Sequence, residues 1–209
     1  MIRTILFDID GTLIDTEEAN IKSLQKTLVE KKGLDKTPAE LEFTLGIPGL
    51  AALKKFSDSP VERQALLDTW NDNFQEFFDT AHIFAGIQLV LQHLAETPIQ
   101  LGVVTSQLDT ELARQFTPFG LNHYFDTIVT ASQTKKHKPD PDPVLHALRV
   151  LDAQAGSTLY IGDAPYDMQS AHTAKTQFGL AKWGARDLQA FAQAEYLFDT
   201  PDDIVRLVG

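Results

Sequence analysis

Thr4-Ile5-Leu6-Phe7-Asp8-Ile9-Asp10-Gly11-Thr12 is a short apolar run that ends in two aspartates one residue apart, followed by Gly-Thr. Such a run bounded by acids describes a strand buried on both faces of a parallel sheet, with a ligand at its carboxyl end. Parallel strands need crossover connections, so this one stretch predicts an α/β fold. Further on, the apolar run Ile99–Thr105 closes on Val103-Val104-Thr105-Ser106, and Thr158–Ile161 runs into Gly162-Asp163, with Asp167 four residues later. A fourth segment, His137-Lys138-Pro139, lies between them on a proline-stiffened loop.

After Ala81 the pattern alternates. It predicts helices near Gly86–Glu96, Asp109–Phe116, Pro141–Leu151 and Tyr166–Ala174, with strands at Ile99–Thr105, Asp126–Thr130, Thr158–Ile161 and Gly179–Lys182. Right-handed crossovers assemble these as a doubly wound parallel sheet whose functional edge is the strands' carboxyl ends. Between about Thr16 and Ala81 the period is helical instead. Ile21, Leu24 and Leu28 share one face of a helix ended by Gly33. A second helix starts at Ser59-Pro60 with a capping box to Glu62 and carries Leu66, Trp70, Phe74 and Phe77 on one stripe. The expected organisation is therefore a core of residues 1–15 and 82–209 with an all-helical cap, residues 16–81, inserted after the first strand.

The 209 residues are 43% apolar and 22% charged, ordinary for a globular protein, and no run approaches the roughly 20 apolar residues of a membrane helix. Neither a membrane nor a secretory signal is expected, and the chain reads as cytoplasmic. Zero cysteines exclude disulfides, thiolate metal sites and a cysteine nucleophile. A formal charge of −11 argues against nucleic acid as a partner and leaves positive charge to be supplied locally, by a metal ion and a lysine. Nothing in the sequence sets an oligomeric state.

Carboxylates, one ammonium and one hydroxyl at adjacent strand ends suit phosphoryl transfer. Asp8 is placed to attack phosphorus, and Asp10 to protonate the leaving oxygen and later deprotonate a water. Gly11 lets backbone amides approach the phosphoryl oxygens, and Thr105, helped by Ser106, offers a hydroxyl. Lys138 offers a held ammonium. Asp163 is the better direct Mg²⁺ ligand; for Asp167 a water-mediated metal contact, a grip on Lys138 and a helix cap stay equally open. Read singly, DxDGT is also a turn, Thr105 an N-cap and Lys138 a solvated lysine.

Together the four segments resemble the motifs of the haloacid dehalogenase superfamily of phosphohydrolases over nearly the whole chain, which implies a Rossmann-like core. The resemblance implies an aspartyl-phosphate on Asp8, acid and base work by Asp10, and phosphoryl binding by Thr105 and Lys138. It also implies Mg²⁺ held by Asp8, by the backbone carbonyl of Asp10 and by Asp163, with Asp167 nearby. The insertion resembles the helical cap of the subgroup that includes phosphoglycolate phosphatase, pyrophosphatase and β-phosphoglucomutase, with Asp15-Thr16 starting the linker. The expected activity is Mg²⁺-dependent hydrolysis of a small phosphorylated metabolite, with the cap closing to exclude water. Phosphoglycolate is the first candidate substrate, and a pyrophosphatase or phosphomutase the alternative. The loop Leu45-Gly46-Ile47-Pro48-Gly49 lacks the basic residues a sugar phosphate would need, which weakens the mutase. An aspartate-phosphorylated receiver module is the rival from another class, and Asp10 argues against it. A dinucleotide site is disfavoured because no G-x-G-x-x-G follows a strand.

Overall fold

The computed structural model describes residues 1–208. The chain divides into two compact units, Met1–Asp15 with Ile83–Gly209, and Thr16–His82. The first contains a six-stranded sheet built from β1 (Thr4–Phe7), β4 (Gln100–Val104), β5 (Thr127–Val129), β6 (Thr158–Gly162), β7 (Gln177–Ala181) and β8 (Tyr196–Phe198). Their order is β5-β4-β1-β6-β7-β8, and every pairing is parallel. A two-stranded ribbon, β2 (Ile14–Asp15) with β3 (His82–Ile83), lies where the chain leaves and re-enters this unit.

Alternate residues of each strand face opposite sides of the sheet. Leu6 pairs with Tyr160, and Tyr160 with Phe178. These three, with Val104 and Val129, build one continuous core against Val144, Ala147 and Leu148 of α7 (Asp142–Val150) and Met168 and Ala171 of α8 (Pro165–Thr173). Gly102 stands opposite Leu6, where a Cβ would lie 2.7 Å from a Leu6 methyl, so the missing side chain makes room for the leucine. Ile5, Phe7, Leu101, Val103, Leu159 and Ile161 are equally buried on the sheet's other face. Phe7 meets the Phe125 ring edge-on at 6.2 Å between centroids.

Two expectations are refined here. Asp109–Phe116 is not one α-helix: a single turn at Asp109–Glu111 passes into a π-helical stretch over Leu112–Phe116. The edge strand β8 was not read from the sequence. It is three residues long and its middle residue, Leu197, is 60% exposed, so it has neither the length nor the apolar continuity of an interior strand.

The second unit is helical from α1 (Glu17–Lys32) through α2 (Pro38–Leu41) and α3 (Gly49–Ala52) to α4 (Pro60–Phe74), with short 3₁₀ turns between and after them. Gly33 ends α1 in the left-handed conformation at φ 62°. Trp70 and Phe74 are buried as the stripe requires, while Phe77 falls in the 3₁₀ turn after α4 and is half-buried. The indole of Trp70 donates to Ser23 Oγ at 2.9 Å, and Asn73 Nδ2 to Thr27 Oγ1 at 3.0 Å, so α1 and α4 share a buried polar seam. Only half of the expected capping box forms at Ser59. Its Oγ accepts from the Glu62 amide at 3.3 Å, but the Glu62 carboxylate is taken by Lys32 and the Ser57 hydroxyl.

Candidate active site

Asp8, Thr105 and Asp163 are each the first residue beyond a strand: after β1, β4 and β6. Those strands are neighbours, and the chain steps from β1 to β4 on one side and to β6 on the other, so the residues meet at the sheet's switch point. The Asp8 amide donates to Ile161 O at 2.9 Å and that of Thr105 to Val129 O at 3.0 Å, extending the sheet's hydrogen bonding into the site.

Lys138 arrives from the loop before α7 and is 5% exposed. Its Nζ lies 2.8 Å from Asp8 Oδ1, 2.7 Å from Asp167 Oδ1 and 3.1 Å from the Tyr160 hydroxyl, one acceptor for each of its three hydrogens. Burial works against its charge, but Asp167 and Asp8 more than offset this and hold the ammonium above its ordinary range. Asp167, itself 0% exposed, uses its other oxygen to accept from the Ala164 amide at 3.0 Å, capping α8. Of the readings open for Asp167, its two oxygens make the grip on the lysine and the helix cap together. Tyr160 hydrogen-bonds the Val104 carbonyl at 2.8 Å, tying the lysine's surroundings to the end of β4.

Around Asp8 the charges do not balance. Asp8, Asp163 and Asp167 place carboxylate oxygens within 4.8 Å of one another, and Lys138 is the cation among them. Burial, assisted by Asp167 and Asp10 and opposed by Lys138, pushes Asp8 up to about 7. Burial, Asp167 and Asp8 likewise raise Asp163 well above the carboxylate range, against a hydrogen bond of 3.1 Å from Thr12 Oγ1. Three carboxylates facing one ammonium leave two negative charges over, which is the charge of a divalent cation, and hard oxygen donors are the ligands such a cation takes. The donor set fits a metal ion.

Gly11 and its neighbours shape the loop that carries Asp10. Gly11 has φ +77°, and a Cβ there would fall 2.2 Å from Asp163 Oδ2. From the loop after β7, the Trp183 indole donates to Thr12 O at 2.9 Å, and a Cβ on Gly184 would lie 1.8 Å from Gly11 O. Two backbones touch there. Thr105 Oγ1 accepts from the Gln107 amide at 3.1 Å, and Ser106 Oγ is a buried atom with no partner. A hydroxyl hydrogen at each position is thus available at the edge where Asp8 ends. His137, beside the lysine, is exposed.

All the candidate site residues lie in this unit: Asp8, Lys138, Asp163 and Asp167 form one cluster, Gly11 abuts Asp163, Thr105 and Ser106 follow the neighbouring strand, and Asp10 accepts from the side chain of Gln107, beside them. Sequence reasoning missed Tyr160, Gln107 and the part played by Trp183. Tyr160 left a trace, a phenol within the otherwise apolar Thr158–Gly162; the other two are defined by partners 97 and 171 residues away.

A candidate pyrophosphatase PpaX from Clostridium perfringens is 34% identical over 213 residues, all of this chain and 98% of that protein. A phosphoglycolate phosphatase from Aquifex aeolicus is 28% identical over 99% of this chain and 97% of its own length. A solved structure of a candidate phosphoglycolate phosphatase from Lactobacillus plantarum superposes with a TM-score of 0.90 at 28% identity, covering 99% of this chain and all of that one. Residues 5–181 match the model of the haloacid dehalogenase-like hydrolases, and the chain belongs to that family.

Proposed function

We propose that this hydrolase is an Mg²⁺-dependent phosphatase of a small phosphorylated metabolite that works through phosphorylated Asp8. The observation that carries the reading is the buried ammonium of Lys138 fixed 2.8 Å from Asp8 by Asp167 and Tyr160. That arrangement keeps one Asp8 oxygen oriented and its charge partly neutralised, as an attacking carboxylate requires. Asp10 protonates the departing oxygen and then takes a proton from the water that hydrolyses the acyl phosphate. Thr105 and Ser106 donate their hydroxyls to the phosphoryl oxygens, and Gly11 lets the loop amides approach them. Asp8, Asp163 and the Asp10 backbone carbonyl would hold Mg²⁺, which neutralises the phosphoryl oxygens when bound, and Asp167 is committed to Lys138.

Two substrates compete, because relatives of comparable coverage are named for pyrophosphate and for phosphoglycolate. Within the helical unit, Lys55 is spent over the Phe43 ring, 3.6 Å from its centroid, which gives the sugar phosphate of a mutase no added support. Free phosphate release from pyrophosphate, phosphoglycolate and a panel of sugar phosphates, with and without Mg²⁺, tests the reading. Sustained Mg²⁺-dependent release from one of the first two is expected. Release that needs a sugar bisphosphate would replace the phosphatase with a mutase, and full activity in chelator would remove the metal.

A further inference from the structure

Gln107 is buried, 5% exposed, on the loop that leaves β4 at the catalytic edge, and its backbone is pinned at both ends. Its amide donates to Thr105 Oγ1 at 3.1 Å, and its carbonyl accepts from the Ala131 amide at 2.9 Å. From there the side chain reaches Asp10, 97 residues away in sequence, and Nε2 donates to Asp10 Oδ2 at 2.9 Å. The other half of the same amide, Oε1, is buried without a partner among the described residues. Turning the amide over would set its oxygen against a carboxylate oxygen, so chemistry fixes which atom faces Asp10.

An unpartnered buried carbonyl destabilises a fold, and a leucine of similar volume would avoid that cost. What the leucine could not supply is the N–H on Asp10. We infer that Gln107 is a positioning residue for Asp10: by donating to Oδ2 it fixes the orientation of the carboxyl that gives and takes the proton. This rests on Asp10 being the acid and base of the proposed reaction.

The test compares Gln107→Leu and Gln107→Met with Asp10→Asn in the enzyme. Two substrates are used, the best alkyl phosphate or pyrophosphate from the panel and p-nitrophenyl phosphate, whose phenolate leaves without a proton. Gln107→Leu is expected to lower kcat for the first substrate about 10- to 100-fold with little change in KM. With p-nitrophenyl phosphate it should release a burst of nitrophenolate equal to the enzyme and then turn over slowly, because formation of the acyl phosphate is spared while its hydrolysis is not. If the leucine variant does not fold, Gln107→Met, unbranched like glutamine and lacking the donor, carries the same test. Equal losses on both substrates without a burst, or no loss, would overturn the inference while Asp10→Asn still collapses the rate. Full activity in Asp10→Asn would overturn the acid–base reading itself, and this inference with it.

Discussion

At Asp8 the fold keeps a carboxyl 4% exposed beside an ammonium it must share with Asp167. Asp8→Asn leaves the shape and removes the proposed nucleophile, so turnover should fall by about 10⁴-fold or more, read as phosphate release under saturating substrate. Asp10→Asn should cost about 10² to 10⁴ in kcat. Asp8, Lys138 and Asp163 could be picked out before any coordinates because each belongs to a short motif, two of them at the end of a readable strand. Gln107 could not, because a side chain that acts on a partner tens of residues away leaves no local pattern, and Tyr160 left only a phenol in a buried strand. Asp167 lay between these cases: visible as an acid four residues after Asp163, but its job was undefined until Lys138 and the Ala164 amide were seen on its two oxygens.

Among the elements, the interior strands were legible because burial on both faces writes a continuous apolar run, and the amphipathic helices because their stripes repeat at helical spacing. The π-helical turn at Leu112–Phe116 was not, since apolar spacing over eight residues does not distinguish a widened turn from a regular one. The loop after β7 makes a sharper prediction. Gly184→Ala would drive a methyl into the Gly11 carbonyl and so displace the loop carrying Asp10; we expect at least about a 100-fold loss of kcat, a misplacement on the order of 1 Å being enough for that. Trp183→Phe removes the N–H that bonds Thr12 O together with part of the fused ring; it should lower stability by at least about 1 kcal/mol in urea titrations, with a smaller loss of rate than Gly184→Ala. In the helical unit, Ser59→Ala should cost about 1 kcal/mol of stability, because the Glu62 amide loses its acceptor.

Taken as a whole, the molecule carries eleven excess negative charges, and the described residues include no helix long and apolar enough to cross a membrane. Folding moves Asp8 from 3.8 to about 7, so the native state binds that proton more tightly than the unfolded chain does. The resulting stabilisation is complete below about pH 4 and is lost as pH rises through about 7. In chelator, the melting temperature of the parent should therefore fall relative to Asp8→Asn across that interval. Adding Mg²⁺ near pH 8 should raise the parent's melting temperature by more than that of the variant, since a ligand of the native state stabilises it by mass action. A parallel pH response in the two proteins would remove Asp8 as the cause.

The backbone contact between Gly11 and Gly184 also bears on how the enzyme is made. A ribosome delivers Asp8 and Gly11 together, yet the loop that buttresses them emerges only some 170 residues later. A nascent chain stopped short of Trp183 carries all four motifs and still lacks the wall that holds the first of them in shape, so the motif's geometry waits for that later loop rather than arriving with its own residues.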